Sequence, residues 1–173
     1  MNRTKREMLM QKLPAAADIL ALVPVTGTDG GSETVVHTAT GRAMTISAAP
    51  EYVLACLAGR EDKELRLIRR NAARRLARRR NIILPILHGC VLAPIMVRHV
   101  SKRSGRLGYI NIARRPLIGS AGSGTDVALQ SGTVIHSLWQ PPTVKKLVQE
   151  GSAVHYKLLV DVQRQLRRVE AFV

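Results

Sequence analysis

Apolar and polar positions alternate along most of this chain in short, well-punctuated blocks. DILALVPVTG (18–27) is an apolar run closed by turn residues and predicts a strand. TDGGS (28–32) is a turn signal, and ETVVHTATGRAMTIS (33–47) alternates around a central TGR, which predicts a hairpin. Ser47 stands where a helix N-cap is expected, with Pro50 and Glu51 in the first turn and Gly59 as the breaker. A second helix is predicted over 61–79, because Leu65, Ile68, Ala72 and Leu76 recur at spacings of three and four on one face. NIILPILHGCVLAPIMVRHV (81–100) is rich in β-branched residues and punctuated by Pro85, Gly89 and Pro94, so it reads as two strands or one interrupted strand. SKRSGR (101–106) is a basic turn, LGYINIARRPLIG (107–119) a further strand, and SAGSG (120–124) a flexible link. TDVALQSGTVIHSLW (125–139) reads strand, Ser-Gly turn, strand; a helix follows from Thr143, interrupted or bent near Gly151. The expected fold is therefore α+β: β-hairpins with a central basic helix, and a C-terminal helix packed on a mostly antiparallel sheet. Residues 17–173 form one domain in this reading, behind a tail or short fraying helix at 1–16.

Composition changes that picture in one respect. Of 173 residues 46% are apolar, enough for a sizeable core, but only 3% are aromatic, so Val, Ile, Leu and Ala must build it. The formal net charge is +15 and is concentrated. Between 65 and 125 there is no Asp or Glu against 14 Arg and Lys, whereas the other 13 basic residues face all 12 acids. A segment so lopsided sets up a local potential that attracts polyanions. Two cysteines, Cys56 and Cys90, are too few for a disulfide framework and read as reduced thiols of a cytosolic protein. The basic N-terminal stretch is interrupted by Asp18 and reads as no secretory signal, and no apolar run reaches the length of a membrane span.

The chemistry-bearing candidates lie inside the basic segment. Residues 66–80 hold eight arginines and no acid. Like-charge pairs four apart on a helix cost about 0.2–0.5 kcal/mol each, a cost that phosphates relieve and a solvated face does not. Arg66, Arg69, Arg70, Arg74, Arg78 and Arg79 are the expected phosphate contacts of the helix. Lys102, Arg103 and Arg106 are those of the hairpin tip, where basic side chains can enter a narrow minor groove. Only Tyr109 lies near that tip, which argues against a single-strand binder that stacks bases. GSAGSG (119–124) lacks the Gly-Lys-Ser/Thr ending of a phosphate loop. His88 and Cys90, even with Cys56 and His99, make a poor zinc set, and no catalytic constellation is visible. Trp139, Tyr156 and Phe172 are expected to anchor the C-terminal helix on the sheet. Neither a cofactor nor a metal is expected. The function expected is a duplex-DNA-binding regulator; an arginine-rich RNA-binding protein and a non-enzymatic adaptor for an acidic protein are the alternatives.

The stretch LACLAGREDKELRLIRRNAARRLARRRNIILPILHGCVLAPIMV (54–97) resembles the middle of the ComK competence transcription factors of Gram-positive bacteria. There a Gly-Arg pair opens a basic stretch that leads into a strand with a Pro-Ile motif; Gly59-Arg60 and APIMV (93–97) are the counterparts. DILALVPV with its following hairpin, and TDVALQSGTVIHSLW with its following helix, resemble the start and the close of that family, so the resemblance runs over about 17–160. Where the family continues into a Phe-Pro-Thr type strand and a Cys-x-Trp pair, this chain has YINIARRPLIG. The resemblance implies an activator of bacterial competence genes, cytoplasmic and nucleoid-associated. It also implies binding to AT-rich duplex sites as a homo-oligomer, and control by adaptor-directed proteolysis. It adds Arg60 to the nucleic-acid-binding candidates.

Overall fold

The structure, a computed structural model, describes residues 3–98 and 105–170. Helix α1 (Arg3–Lys12) leads into a short 3-10 turn at Ala16–Asp18 and then strands β1 (Ile19–Thr26), β2 (Ser32–Thr38) and β3 (Ala43–Ile46). Helices α2 (Pro50–Arg60) and α3 (Leu65–Arg75) follow, then β4 (Leu84–Leu87), β5 (Cys90–Met96) and β6 (Leu107–Asn111). A 3-10 turn at Ile112–Arg114 precedes β7 (Leu117–Ala121), β8 (Gly124–Ala128) and β9 (Val134–Ser137), and α4 (Pro141–Glu170) closes the described chain. The fold is α+β, as the sequence predicts, and every strand pairing in it is antiparallel.

Six strands form one sheet in the order β3-β2-β1-β6-β5-β4, and β7-β8-β9 form a second. The large sheet is two three-stranded meanders joined along β1 and β6. That seam is short: only Ala21↔Ile110 and Leu22↔Tyr109 pair across it. Pro24, which has no N–H to offer, follows two residues on in β1. Pro94 likewise lies beyond the last β4 pairing of β5, Leu84↔Leu92, so β5 runs through it unbroken while Gly89 forms the turn.

Strand alternation divides the core in two. On one face of the large sheet Ile19, Leu22, Val36, Leu92 and Tyr109 meet Val53, Leu54 and Leu57 of α2, with Leu65 and Ile68 of α3 at the margin. On the other face Leu20, Ala21, Ala93, Ile95 and Ile110 meet Val127 and Ile135 of the small sheet and Val144 and Leu147 of α4. The ends of β5 and β9 are tied together, Leu138 N and Ser137 Oγ both donating to Met96 O at 2.7 and 3.2 Å. Asn111, buried at the end of β6, uses its whole amide. Its Oδ1 accepts from Val91 N and Ala113 N, each at 3.1 Å, and its Nδ2 donates to Ile19 O at 2.8 Å and Gly89 O at 3.0 Å.

Several boundaries differ from the sequence expectations, each for a local reason. The N-cap of α2 is Ala49, not Ser47, and Gly59 sits inside the helix. Gly59 faces α1, where a Cβ would lie 2.9 Å from the mobile end of the Arg6 side chain, and it does not end the helix. SAGSG is no link: Ala121 pairs with Gly124 and the two residues between them turn a tight hairpin, with Gly122 at φ +46°. Residues 107–119 are not one strand, because Ile112–Arg114 turn and Arg115 takes a left-handed conformation at φ 47°. Helix α4 begins at Pro141 and passes Gly151 without interruption; that glycine is buried against Ile112, where a Cβ would come within 2.7 Å. Trp139 packs on the second core as expected, but Tyr156 is 70% exposed and anchors nothing, and Phe172 lies outside the described residues.

Candidate nucleic-acid interface

Helix α3 is shorter than the predicted 61–79. It starts at Leu65 behind Glu64 and ends at Arg75. Its end is a Schellman turn: Ala77 N donates to Arg74 O and Arg78 N to Ala73 O, with Ala77 held at φ 49°. Helix α2 ends the same way, Asp62 N donating to Gly59 O and Lys63 N to Ala58 O around Asp62 at φ 51°. Neither turn has glycine at its left-handed position, so neither is marked in the sequence. The consequence for the basic run is direct. Arg66 to Arg75 are carried on a helix, while Arg78, Arg79 and Arg80 lie in the connection that follows it.

The apolar stripe falls as the spacing predicts. Ala72 is buried, Leu65 and Ile68 pack on the first core, and Leu76 packs on the second. This fixes which arginines face the body of the protein and which face solvent. Three candidates are committed to internal partners. Arg69 Nη2 donates to both carboxylate oxygens of Glu51, at 3.0 and 2.9 Å. The hydroxyl of Tyr109 donates to the same carboxylate at 2.8 Å. Burial, and then the charge of Glu51, push that phenol well above its usual range. Arg78 pairs with Glu150 of α4, Nη2 donating to Oε1 at 2.9 Å while Nε lies 2.7 Å from Oε2 without a hydrogen bond, and its Nη1 donates to Asn81 O at 3.3 Å. Arg60 donates through Nη1 to Leu13 O at 2.7 Å and Pro14 O at 2.8 Å, clasping the connection after α1.

The remaining helix candidates point outward. Arg66, Arg70 and Arg74 are exposed and stand one helical turn apart, in a row with a step of about 6 Å. Arg66 approaches Glu64 only at 3.8 Å; Arg70, Arg74 and Arg79 form no hydrogen bond or ion pair among the described residues. Of the hairpin candidates, Lys102 and Arg103 lie outside the described residues, and Arg106 is exposed on the approach to β6. Arg75 and Arg80, which the sequence reading passed over, are exposed and unpaired in the same way. Their signal was already visible, since no acid lies nearby in sequence. Arg6 of α1 is a second omission. It lines an open cleft of about 640 Å³ together with Lys63, Arg66 and Arg69, with the acids Asp62 and Glu64 on the same wall, and no spacing rule connects it to them.

Two other basic residues of the segment, Arg98 and Arg114, are structural. Arg98 donates through Nε to Gly105 O at 3.0 Å and through Nη1 to Thr26 Oγ1 at 2.8 Å; Arg114 donates to Ala17 O and approaches Asp18 at 3.4 Å. Such a surface can hold anionic oxygens by charge and directional N–H donation. Both thiols are buried, and burial pushes that of Cys90 up to about 12. Among the described residues no three His, Cys, Asp or Glu side chains converge on a point, and no helix is long and apolar enough to cross a membrane. No family model, curated protein or solved structure matches this chain.

Proposed function

We propose that this protein is a DNA-binding transcription regulator that holds duplex DNA through the outer row of α3 and the connection after it. The observation that carries this reading is what remains once the internal pairs are subtracted. Arg66, Arg70, Arg74, Arg75, Arg79 and Arg80 stay exposed in a run where no acid follows Glu64. An ordinary solvated face interleaves signs along the chain; this run does not, and among these six the one ion-pair approach within the described residues is that of Arg66 to Glu64 at 3.8 Å. The residual like-charge repulsion is relieved when phosphates come to rest against it. Helix α3 supplies phosphate contacts in this reading, and these set affinity and register. Sequence preference has to come from elements that reach base edges or deform the groove, for which the β5–β6 connection with Lys102 and Arg103 is the candidate. The resemblance to the ComK family supports a competence-type activator with AT-rich sites.

The test is a competition at modest ionic strength. Labelled random-sequence duplex DNA is challenged with unlabelled duplex, a structured RNA and poly-glutamate, and binding sites are then selected from the random pool. Duplex DNA displacing the probe best, with enrichment of AT-rich sites, is the expected result. RNA winning outright moves the protein to the RNA-binding class, poly-glutamate winning moves it to the adaptor class, and no binding to any of them removes the polyanion reading.

A further inference from the structure

The face that α4 lays on the second core does not stop where the core stops. Val144, Leu147, Gly151, Val154 and Leu158 pack against it at spacings of three and four. Past Leu158 no residue of α4 belongs to either core, yet the helix runs on to Glu170, an overhang of about 18 Å. The same face continues through the overhang as Val162, Leu166 and Val169, with Leu159 beside it. Leu166 is 58% and Val169 63% exposed. The overhang propagates from a helix already nucleated on the core, so it needs no partner to stay helical, but a stripe of Leu and Val left in water is a face that burial against a partner stabilises.

The residues around the stripe indicate which partner. At 100° per residue, Gln163, Gln165 and Glu170 flank it and Asp161 stands at its margin, while the basic residues Lys157, Arg164, Arg167 and Arg168 fall on the far side. A chain of net charge +15 repels its own copies on most approaches. This seam is an approach on which basic side chains do not meet. Its Leu and Val side chains, repeating at three and four, are those that interlock between two helices. We propose that the C-terminal half of α4 pairs with the same segment of a second copy about a two-fold axis, giving a dimer held by Val162, Leu166 and Val169. The inference stands on the overhang and its flanks and does not depend on the DNA-binding reading. A dimer would, in addition, present two α3 rows to one ligand.

Sedimentation equilibrium of the full chain tests it. The expected wild-type mass is twice the 19.0 kDa of one chain, and the double variant Val162→Gln, Leu166→Gln should sediment as a 19.0 kDa monomer with unchanged helical circular dichroism. A charge exchange separates a specific seam from general stickiness. Gln163→Lys with Gln165→Lys should be monomeric alone, as should the matching pair of Glu substitutions, and mixing the two should restore the dimer mass. A wild-type monomer at high micromolar concentration overturns the proposal. So does an assembly that survives Val162→Gln, Leu166→Gln, or charge variants that assemble no better mixed than apart. DNA binding by a chain that stays monomeric would leave the proposed function standing and remove this inference alone.

Discussion

The sorting of the arginines gives a quantitative expectation. Consider the triple variant Arg66→Gln, Arg70→Gln, Arg74→Gln beside the single variants Arg69→Gln and Arg78→Gln. If each of the three outward guanidinium groups neutralises one phosphate, the triple variant loses about 0.9 per contact, hence about 2.7, from the slope of log K against log salt on B-form duplex. The free protein should meanwhile become slightly more stable. Two like-charge pairs, Arg66/Arg70 and Arg70/Arg74, disappear, each worth about 0.2–0.5 kcal/mol. Arg78 is the contrast. Its side chain and that of Glu150 are 21% and 28% exposed, and removing it strands a largely buried carboxylate at a cost of about 1–3 kcal/mol. Arg69→Gln and Arg78→Gln should therefore lower the urea midpoint, Arg78→Gln the more, and leave the salt slope unchanged. Fluorescence anisotropy over a salt series and urea titration followed by circular dichroism read the two quantities separately. The reasoning is refuted if the triple variant keeps the full slope, or if Arg69→Gln and Arg78→Gln flatten it as much while remaining folded.

Three stability predictions follow from single sites. Asn111→Ala breaks four hydrogen bonds and strands buried backbone groups, and it should cost about 3 kcal/mol or more in urea unfolding; a loss below 1 kcal/mol, of the order of one net hydrogen bond, would contradict the described network. Gly151→Ala should destabilise although alanine is the better helix former, because its Cβ would press on Ile112 and overpacking costs about 1–3 kcal/mol against a propensity gain of about 1; a rise in melting temperature would show that α4 sits farther from Ile112. Ala77→Gly should stabilise by about 0.5–1 kcal/mol, the relief of a left-handed alanine less the entropy cost of glycine, and calorimetry showing a loss would exclude the Schellman geometry.

What the sequence made legible follows from the range of the interactions involved. Period-two blocks and tight turns are local, and β1 to β5 and the β8–β9 pair lie close to where the pattern predicts them. The stripe Leu65, Ile68, Ala72, Leu76 also packs as its spacing requires. The misplaced boundaries arise where a distant contact overrides local preference. Gly59 stays inside α2, packed beside α1 from some fifty residues earlier, and Ala77 takes a conformation that its type does not advertise. The candidate interface shows the same division. The acid-free run is a property of adjacent residues and is visible at once. Its sorting into committed and outward arginines depends on Glu51 and Glu150, separated from Arg69 and Arg78 by 18 and 72 residues, and on packing that no spacing rule specifies.

The two-residue seam between β1 and β6 also bears on synthesis. The first meander has all its strands once the chain has grown past Ile46, but the other side of β1 stays open until Tyr109 and Ile110 have emerged. At about 5–20 residues per second, the interval between those points lasts several seconds. For that time Ala21 and Leu22 present an unzipped, wholly apolar edge to whatever meets the nascent polypeptide. Closing it means bringing together segments nearly ninety residues apart, so the middle of the finished sheet is among the last parts to assemble.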